Sequence, residues 1–412
     1  MPIKSIRELK EAVTHTLNEN IIPFWLTYSS DNQNGGFFGR IANDLKIDRT
    51  APRSLILYTR ILWAFSALYK FRPEVRYLEL ARRAYNYLIG SFLDKKYGGF
   101  YWLVDYQGKV LDDLKKIYGQ AFAIYALCEY YAVSGDQAAL NLVIEVFELI
   151  EKHNYDDQFG GYYESSYRDW KVADNVALSE VDLAEKKSMN THLHLMEAYT
   201  SLLREWSNEQ VQNRLNELID CHLNHILNPN TYHLQLYFDE HWTPKSRIIS
   251  FGHDIEASWL LTEAAERTGD LQLISKVTNI SLQMVNATLA AGVSEQGGLL
   301  MEMDGEGKII PRDFDWWPQI EAVISCINAY QLSNEKSYLD QVLKFWNFLD
   351  RYFIDRQGGE WYYSVSADGV PNSQKMKVCE WKGPYHNIRG CLEILKRLKK
   401  IEMIKRVVNN DG

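Results

Sequence analysis

The sequence predicts an all-α fold: an (α/α)6 barrel, a six-hairpin toroid of helices with short β-hairpin loops on one rim. Three observations carry this. First, a glycine pair followed by apolar or aromatic residues recurs, as GGFFG from Gly35, GGFYW from Gly98, GGYYES from Gly160, GGLLME from Gly297 and GGEWYY from Gly358. Second, the starts differ by 63, 62, 137 and 61 residues, and the long gap holds a degenerate copy, NPNTYHLQLYFDEHW from Asn228, so the units number six. Third, each unit carries two helical patterns, joined alternately by a short break and a long hairpin loop.

In chain order, helices are expected over 4–20, 53–71, 74–92, 115–133, 136–153, 188–206, 210–227, 253–268, 270–290, 318–332, 335–353 and 385–401. Pro73 and Gly135 mark short breaks within helix pairs. Each glycine pair reads as a tight turn into a short strand, because glycine accepts positive φ and alternating aromatics suit a half-buried strand. The long loops always follow the odd-numbered helices. The even-numbered helices therefore begin at one common rim, and residues in their first turns converge on one mouth. An open helical solenoid is the alternative arrangement, and the one-sided loops favour closure. Without a linker or low-complexity segment, residues 1–412 read as a single catalytic domain.

Composition narrows the function classes. A content of 46% hydrophobic and 24% charged residues is that of an ordinary soluble globular chain. A formal charge of −9 argues against nucleic acid or an anionic membrane as partner, and the basic stretch near Lys396–Arg406 reads as a solvated helix face. Cys128, Cys221, Cys326, Cys379 and Cys391 are scattered without CxxC spacing, which fits a reducing compartment rather than a zinc site or a disulfide framework. MPIKSIRELKEAV reads as an amphipathic helix and not as a signal peptide, and no run reaches the ~20 apolar residues of a membrane span. A cytoplasmic monomer is expected. The 12 Trp and 26 Tyr suit core packing or stacking against sugar rings.

The candidate site residues fall in the even helices. FGHDIEASW, from Phe251, places His253, Glu256 and Trp259 along one helix face, the parts of a proton-transfer site beside an aromatic plate. The same letters also describe a plain helix start, with Asp254 near the N-terminal dipole and His253 as a satisfied ring. In MNTHLHLMEAY, Asn190, His194 and Glu197 share a face, while His192 points elsewhere and reads as a core histidine. KGPYHNIRG puts His386 in the first turn of the last helix, where the dipole disfavours its charged form. Arg60 sits in the apolar YTRILWAF and needs a partner, either an internal carboxylate or a substrate oxygen. Tyr118 opens the fourth helix, and Trp316, Trp317 and Trp381 stand at the mouth, as core residues or as sugar-stacking plates. A metal is not expected: the i, i+2 pair His192/His194 splays on a helix, and no HxxxH is present. No GxGxxG or GxxxxGK[ST] element calls for a nucleotide cofactor.

Taken together, GHDIEASWLL, KSMNTHLHLMEAYT, WWPQIEA and WKGPYHNIRGCLEI resemble the cellobiose 2-epimerases of the N-acylglucosamine 2-epimerase superfamily, over nearly the whole chain. The resemblance implies an (α/α)6 barrel and cofactor-independent, reversible epimerisation at C2 of the reducing-end sugar of β-1,4-linked disaccharides such as cellobiose, lactose or mannobiose. It implies His253 and His386 as the two acid/base residues and His194 as a supporting histidine. It implies substrate-binding or orienting roles for Arg60, Tyr118, Asn190, Glu256, Trp259, Trp316 and Trp381. The chemistry needs an opened pyranose, a C2 proton made acidic by the C1 carbonyl, and one proton-transfer group on each face of a cis-enediol(ate). Two histidines titrating near neutrality are expected to serve, with Arg60 facing the developing charge and Glu256 orienting His253. An N-acylglucosamine or mannose 2-epimerase/isomerase is the alternative within the superfamily. A glycoside hydrolase is the alternative outside it, with Glu321 and Asp315 as its carboxylate pair.

Overall fold

Half of the helices are buried on every side and half on one side only, and that difference sets the architecture. A computed structural model describes residues 2–174 and 177–410, with side chains through Met403. Lys405 and Arg406 of the basic tail thus lie outside the described side chains. In Leu55–Phe71 (α2) every residue from Leu55 to Leu68 is buried, and in Ile117–Ser134 (α4) every residue from Ile117 to Tyr130. Helices apolar all round belong inside. In the helix Val75–Tyr87 (α3) only Tyr77, Ala81, Ala84 and Tyr85 are buried, one stripe at helical spacing, so it lies outside.

The same alternation runs through the chain. Met189–Glu205 (α6), Phe251–Thr268 (α8), Trp316–Ser333 (α10) and Tyr385–Asn410 (α12) complete the inner ring. Gln137–His153 (α5), Glu209–Cys221 (α7), Leu271–Gly292 (α9) and Lys336–Tyr352 (α11) lie outside, together with the first helix of the chain. Each inner helix touches the next and α12 touches α2, so the ring is closed and the solenoid alternative fails. The first helix runs beyond its expected end: Ile6–His15 (α1) continues through a π-helical stretch, Thr16–Ile21, into Ile22–Tyr28. Pro23 is tolerated because it falls in the first turn after that stretch. Helices α8 and α10 begin two residues earlier than expected, which takes Phe251 and Trp316 into their first turns.

Among the described residues the hairpins are six, as the repeat implies. Bridges join Ser30 to Phe37, Leu93 to Phe100, Tyr155 to Tyr162, Leu227 to Leu234, Val293 to Leu299 and Ile354 to Trp361. In the degenerate unit, Tyr232 takes the left-handed backbone (φ 58°) that glycine holds in the third unit, where Gly160 and Gly161 have φ 72° and 76°. The short strand before each inner helix pairs with the hairpin of the next unit: Arg53–Ser54 with Leu103–Val104, Lys187–Ser188 with Tyr237–Phe238, Ile249–Ser250 with Glu302–Met303. Val378, ahead of α12, bridges back to Ile41 in the first unit, so the rim closes along with the helices.

A polar side chain near the start of five of the six inner helices clasps a hairpin. Tyr58, Gln120, His192, Asp254 and Gln319 are each the fourth residue of their helix. They receive the backbone N–H of Phe37, Phe100, Tyr162, Leu234 and Leu299 at 2.7, 2.9, 2.9, 2.8 and 2.7 Å. His192 is thus a core ring, as its face predicts. Its Nδ1 donates to the Ser188 carbonyl at 2.7 Å, and burial pushes its pKa down to about 3. Asp254 is more than a helix-start residue: fully buried, it also binds His233 Nδ1 at 2.7 Å. Among the described residues, no helix is long and apolar enough to cross a membrane.

Candidate active site

The first turns of the inner helices enclose a cavity of about 220 Å³ at the loop-bearing rim. Its wall includes Arg60, Tyr118, Asn190, His194, His253, Glu256, Trp316, Trp381 and His386, nine of the ten residues to which the resemblance gives a site role. Trp259 is the exception. It lies a turn deeper on α8, 2% exposed, with its Nε1 donating to Glu321 at 3.0 Å and its ring 4.9 Å from the Arg389 guanidinium. Its indole supports the floor and does not reach the cavity, because the stretch that begins the helix puts Glu256, not Trp259, at the level of the ligand space.

His253 and His386 lie in the first turns of α8 and α12, and one indole links them. The Trp317 ring lies 5.0 Å from His253 and 5.6 Å from His386. The two imidazoles differ in what holds them. His386 Nδ1 lies 2.8 Å from Glu321 Oε1 and His194 Nδ1 lies 2.9 Å from Glu197 Oε2. His253 Nδ1 lies 2.8 Å from the Ser250 hydroxyl. Glu256 does not orient His253, contrary to the sequence expectation: its Oε1 takes the Arg389 Nη2 at 2.5 Å. The i, i+3 spacing puts the two on one side of the helix, but the buried arginine is the stronger partner for the carboxylate.

Arg389 is the hub under the site. Fully enclosed, it binds Glu197 at 2.5 Å, Glu256 at 2.5 Å and Glu321 at 2.7 Å, from three different inner helices. Tyr385 donates to Glu197 at 2.7 Å. Burial pushes the Glu197 carboxyl up, but Arg389 and His194 outweigh it and hold it at about 2. Glu256 is raised, by burial and then by the neighbouring Glu321. Three donors reach Glu321, from His386, Trp259 and Arg389, and they fit its ionised form, although burial raises the carboxyl above its ordinary value.

The histidines do not titrate near neutrality as expected. Burial, with His194 nearby, lowers His253 to about 4, and burial together with Arg60 and Arg389 lowers His386 well below its ordinary value. Both rings stand neutral. Arg60 resolves the question left open by its sequence: it has no carboxylate partner among the described residues. Its Nη1 donates to the Trp381 carbonyl, its Nη2 lies 3.2 Å from the Tyr118 hydroxyl, and its guanidinium lies 4.9 Å from the Phe122 ring. Among the described residues, Asn190 Oδ1 likewise has no hydrogen-bond partner. A free positive charge and an unused amide oxygen at a sugar-sized cavity are groups suited to hydroxyls and an oxyanion.

Glu256, Glu321 and His386 bring potential ligand atoms within 4.8 Å of one another. The Arg389 guanidinium binds both carboxylates and already supplies the charge a cation would bring, so the cluster does not fit a metal. The hydrolase pair also fails on geometry, because Glu321 is committed to three donors and lines no part of the cavity.

Sequence reasoning misses several residues. Trp317, which the sequence places at the mouth, does line the cavity, but Tyr363, which lines it too and lies 4.6 Å from Trp316, carries no signal of its own. Leu178, Ser179, Val181 and Asp182 close the cavity from the long loop after α5, where no periodicity marks them. Arg389 is legible in principle: it follows His386 by three residues on the same helix face.

Comparison with known proteins agrees with this geometry. Residues 36–389 match the family model of N-acylglucosamine 2-epimerase. The cellobiose 2-epimerase of Bacteroides fragilis is 39% identical over 94% of this chain and 98% of that protein. The cellobiose 2-epimerase of Dictyoglomus turgidum is 37% identical over 95% of this chain and 100% of its own length. The solved structure of cellobiose 2-epimerase from Bacillus thermoamylovorans superposes with a TM-score of 0.90 at 38% identity, covering 95% of this chain and 100% of that one. With a barrel closed around two buried histidines and an arginine that no described carboxylate meets, the chain belongs to the N-acylglucosamine 2-epimerase family.

Proposed function

We propose that this protein is a cellobiose 2-epimerase, which interconverts the C2 epimers at the reducing end of β-1,4-linked disaccharides: cellobiose with glucosyl-mannose, lactose with epilactose. The observation that carries the reading is the pair of neutral imidazoles, His253 and His386, in one cavity with an arginine that has no carboxylate of its own. A neutral ring can take the C2 proton of the opened sugar. Arg60 then faces the negative charge that spreads over O1 and O2 of the enediolate. That anion raises the basicity of both rings, and the ring on the other face, protonated from solvent, returns a proton to C2 and inverts it. Tyr118, Asn190, Trp316 and Trp381 bind and orient the sugar rings in this reading, and His194, locked by Glu197, steadies the reacting end. No step calls for a cofactor.

The nearest competing reading is an N-acylglucosamine or mannose 2-epimerase/isomerase. The test is incubation with lactose and with N-acetylglucosamine, followed by chromatography. Epilactose from lactose supports the proposal; turnover of the monosaccharide alone overturns it.

A further inference from the structure

Three inner helices have serine as the residue before their first turn, and one of the three behaves differently. Ser54 Oγ accepts from Leu57 N–H at 3.0 Å, and Ser188 Oγ accepts from Thr191 N–H at 3.1 Å. These are ordinary N-caps, which satisfy one of the free amides at a helix start. Ser250 occupies the same place ahead of α8, with extended backbone, yet its hydroxyl caps nothing. It turns instead to His253 Nδ1 at 2.8 Å. The helix gives up a cap where its third residue is a site histidine.

What Ser250 offers differs from what the other two site histidines receive. A carboxylate only accepts, so Glu321 and Glu197 fix Nδ1–H on His386 and His194 and leave Nε2 as the acceptor. A hydroxyl both donates and accepts. By rotating, it can receive Nδ1–H when His253 Nε2 is a free base or when the ring is a cation, and it can donate to Nδ1 when the proton sits on Nε2. Ser250 is 5% exposed, and its backbone is already held in the ladder opposite Glu302, so the side chain is not needed to place the strand.

We propose that Ser250 is a positioning residue for His253: its hydroxyl, diverted from capping, holds the ring in place through every proton state the reaction requires. The inference rests on the two-histidine reading above.

The experiment measures kcat, KM, the pH profile and solvent-deuterium incorporation at C2 for the wild type, S250A, S250T and H253A, with lactose and with epilactose as substrates. S250A is expected to lower kcat about ten- to a hundredfold with KM little changed, to shift the acid limb of the kcat profile, and to slow exchange from one epimer more than from the other. S250T keeps the hydroxyl and is expected to recover most of the rate. Because no cap is lost, S250A is expected to melt within about 0.5 °C of the wild type, whereas S54A melts about 1–2 °C lower. An S250A enzyme with wild-type rate and exchange in both directions, beside an inactive H253A, overturns the role of Ser250 and leaves the two-histidine reading intact. An S250A chain that melts as low as S54A, or does not fold, overturns it equally, since the hydroxyl would then be a structural cap. An active H253A overturns the reading on which the inference rests.

Discussion

His192 and His194 stand two residues apart on one helix and belong to different regions of the molecule. His192 is in the ring of side chains that clasps the glycine hairpins, and its neighbours in that ring are Tyr58, Gln120, Asp254 and Gln319. His194 is one layer in, with Arg60 and Glu256 facing the cavity. The contrast repeats on α8, where His253 meets the cavity and Asp254 is buried against His233 and Leu234. Neighbouring residues of the same type can thus serve the fold or the chemistry according to which side of the helix start they occupy. The clasp layer needs only a group that meets a backbone amide, so five repeats use four different residue types. The cavity layer needs particular chemistry.

The largest expected effect separates the layers outright. Replacing His386 or His253 with Ala should cut kcat by about 10³-fold or more with a nearly unchanged melting temperature. A variant that instead fails to fold would place these histidines in the clasp layer. The next test works the other way. Asp254→Ala leaves the Leu234 amide and the His233 ring unsatisfied in a buried place, and should cost about 2–4 kcal/mol in urea unfolding. The fraction that remains folded should still turn over substrate, and complete loss of activity in well-folded protein would assign Asp254 a chemical role.

Glu321→Gln sharpens the picture of the support beneath the site. Gln can still accept from His386 Nδ1, but Arg389 loses one of its three anionic partners. A fall in kcat of about ten- to a hundredfold with KM largely kept is expected, because the ring loses the charge that stabilises its protonated form. Free glucose released from cellobiose at any level that tracks Glu321 would revive the hydrolase reading.

The smallest effect is the most specific to the clasp. Gln serves this position in two other units, where Gln120 and Gln319 meet both the N–H and the C=O of the hairpin residue. His192→Gln should therefore fold with stability within about 1 kcal/mol of the wild type at neutral pH. Its pH dependence should change. His192 is held at about 3 by burial, below its ordinary value near 6.5, so the unfolded chain binds the extra proton first as pH falls. The stability tied to the neutral ring is complete above about pH 6.5 and drains away toward pH 3. Melting curves across that range should slope less for His192→Gln than for the wild type, and equal slopes would contradict the buried neutral ring.

Much of this is legible in the amino-acid sequence. The glycine repeat sets the number of hairpins, and the alternation of long and short connections places the even helices inside. The cavity side of Asn190, His194, His253 and Glu256 follows from helix spacing. What spacing does not supply is competition among partners. Glu256 faces the right way for His253, but a buried guanidinium from α12 claims it, and nothing within FGHDIEASW announces Arg389. Nor does the pattern give depth, which is why Trp259 is expected in the cavity and lies beneath it. The loop residues Leu178 and Asp182 carry no periodicity at all, because a loop follows the rim rather than a helical or strand repeat. Aligning the helix starts exposes the clasp in five of the six, and with it the ordinary roles of His192 and Asp254.

The central claim is proton exchange at C2 between two neutral histidines, and one measurement addresses it directly. The protein is incubated with cellobiose in D2O, and the C2 position of both epimers is followed by NMR as glucosyl-mannose forms. The account predicts one solvent deuteron at C2 of each new epimer, with incorporation abolished in His386→Ala. Product that forms while C2 keeps its original proton would contradict it.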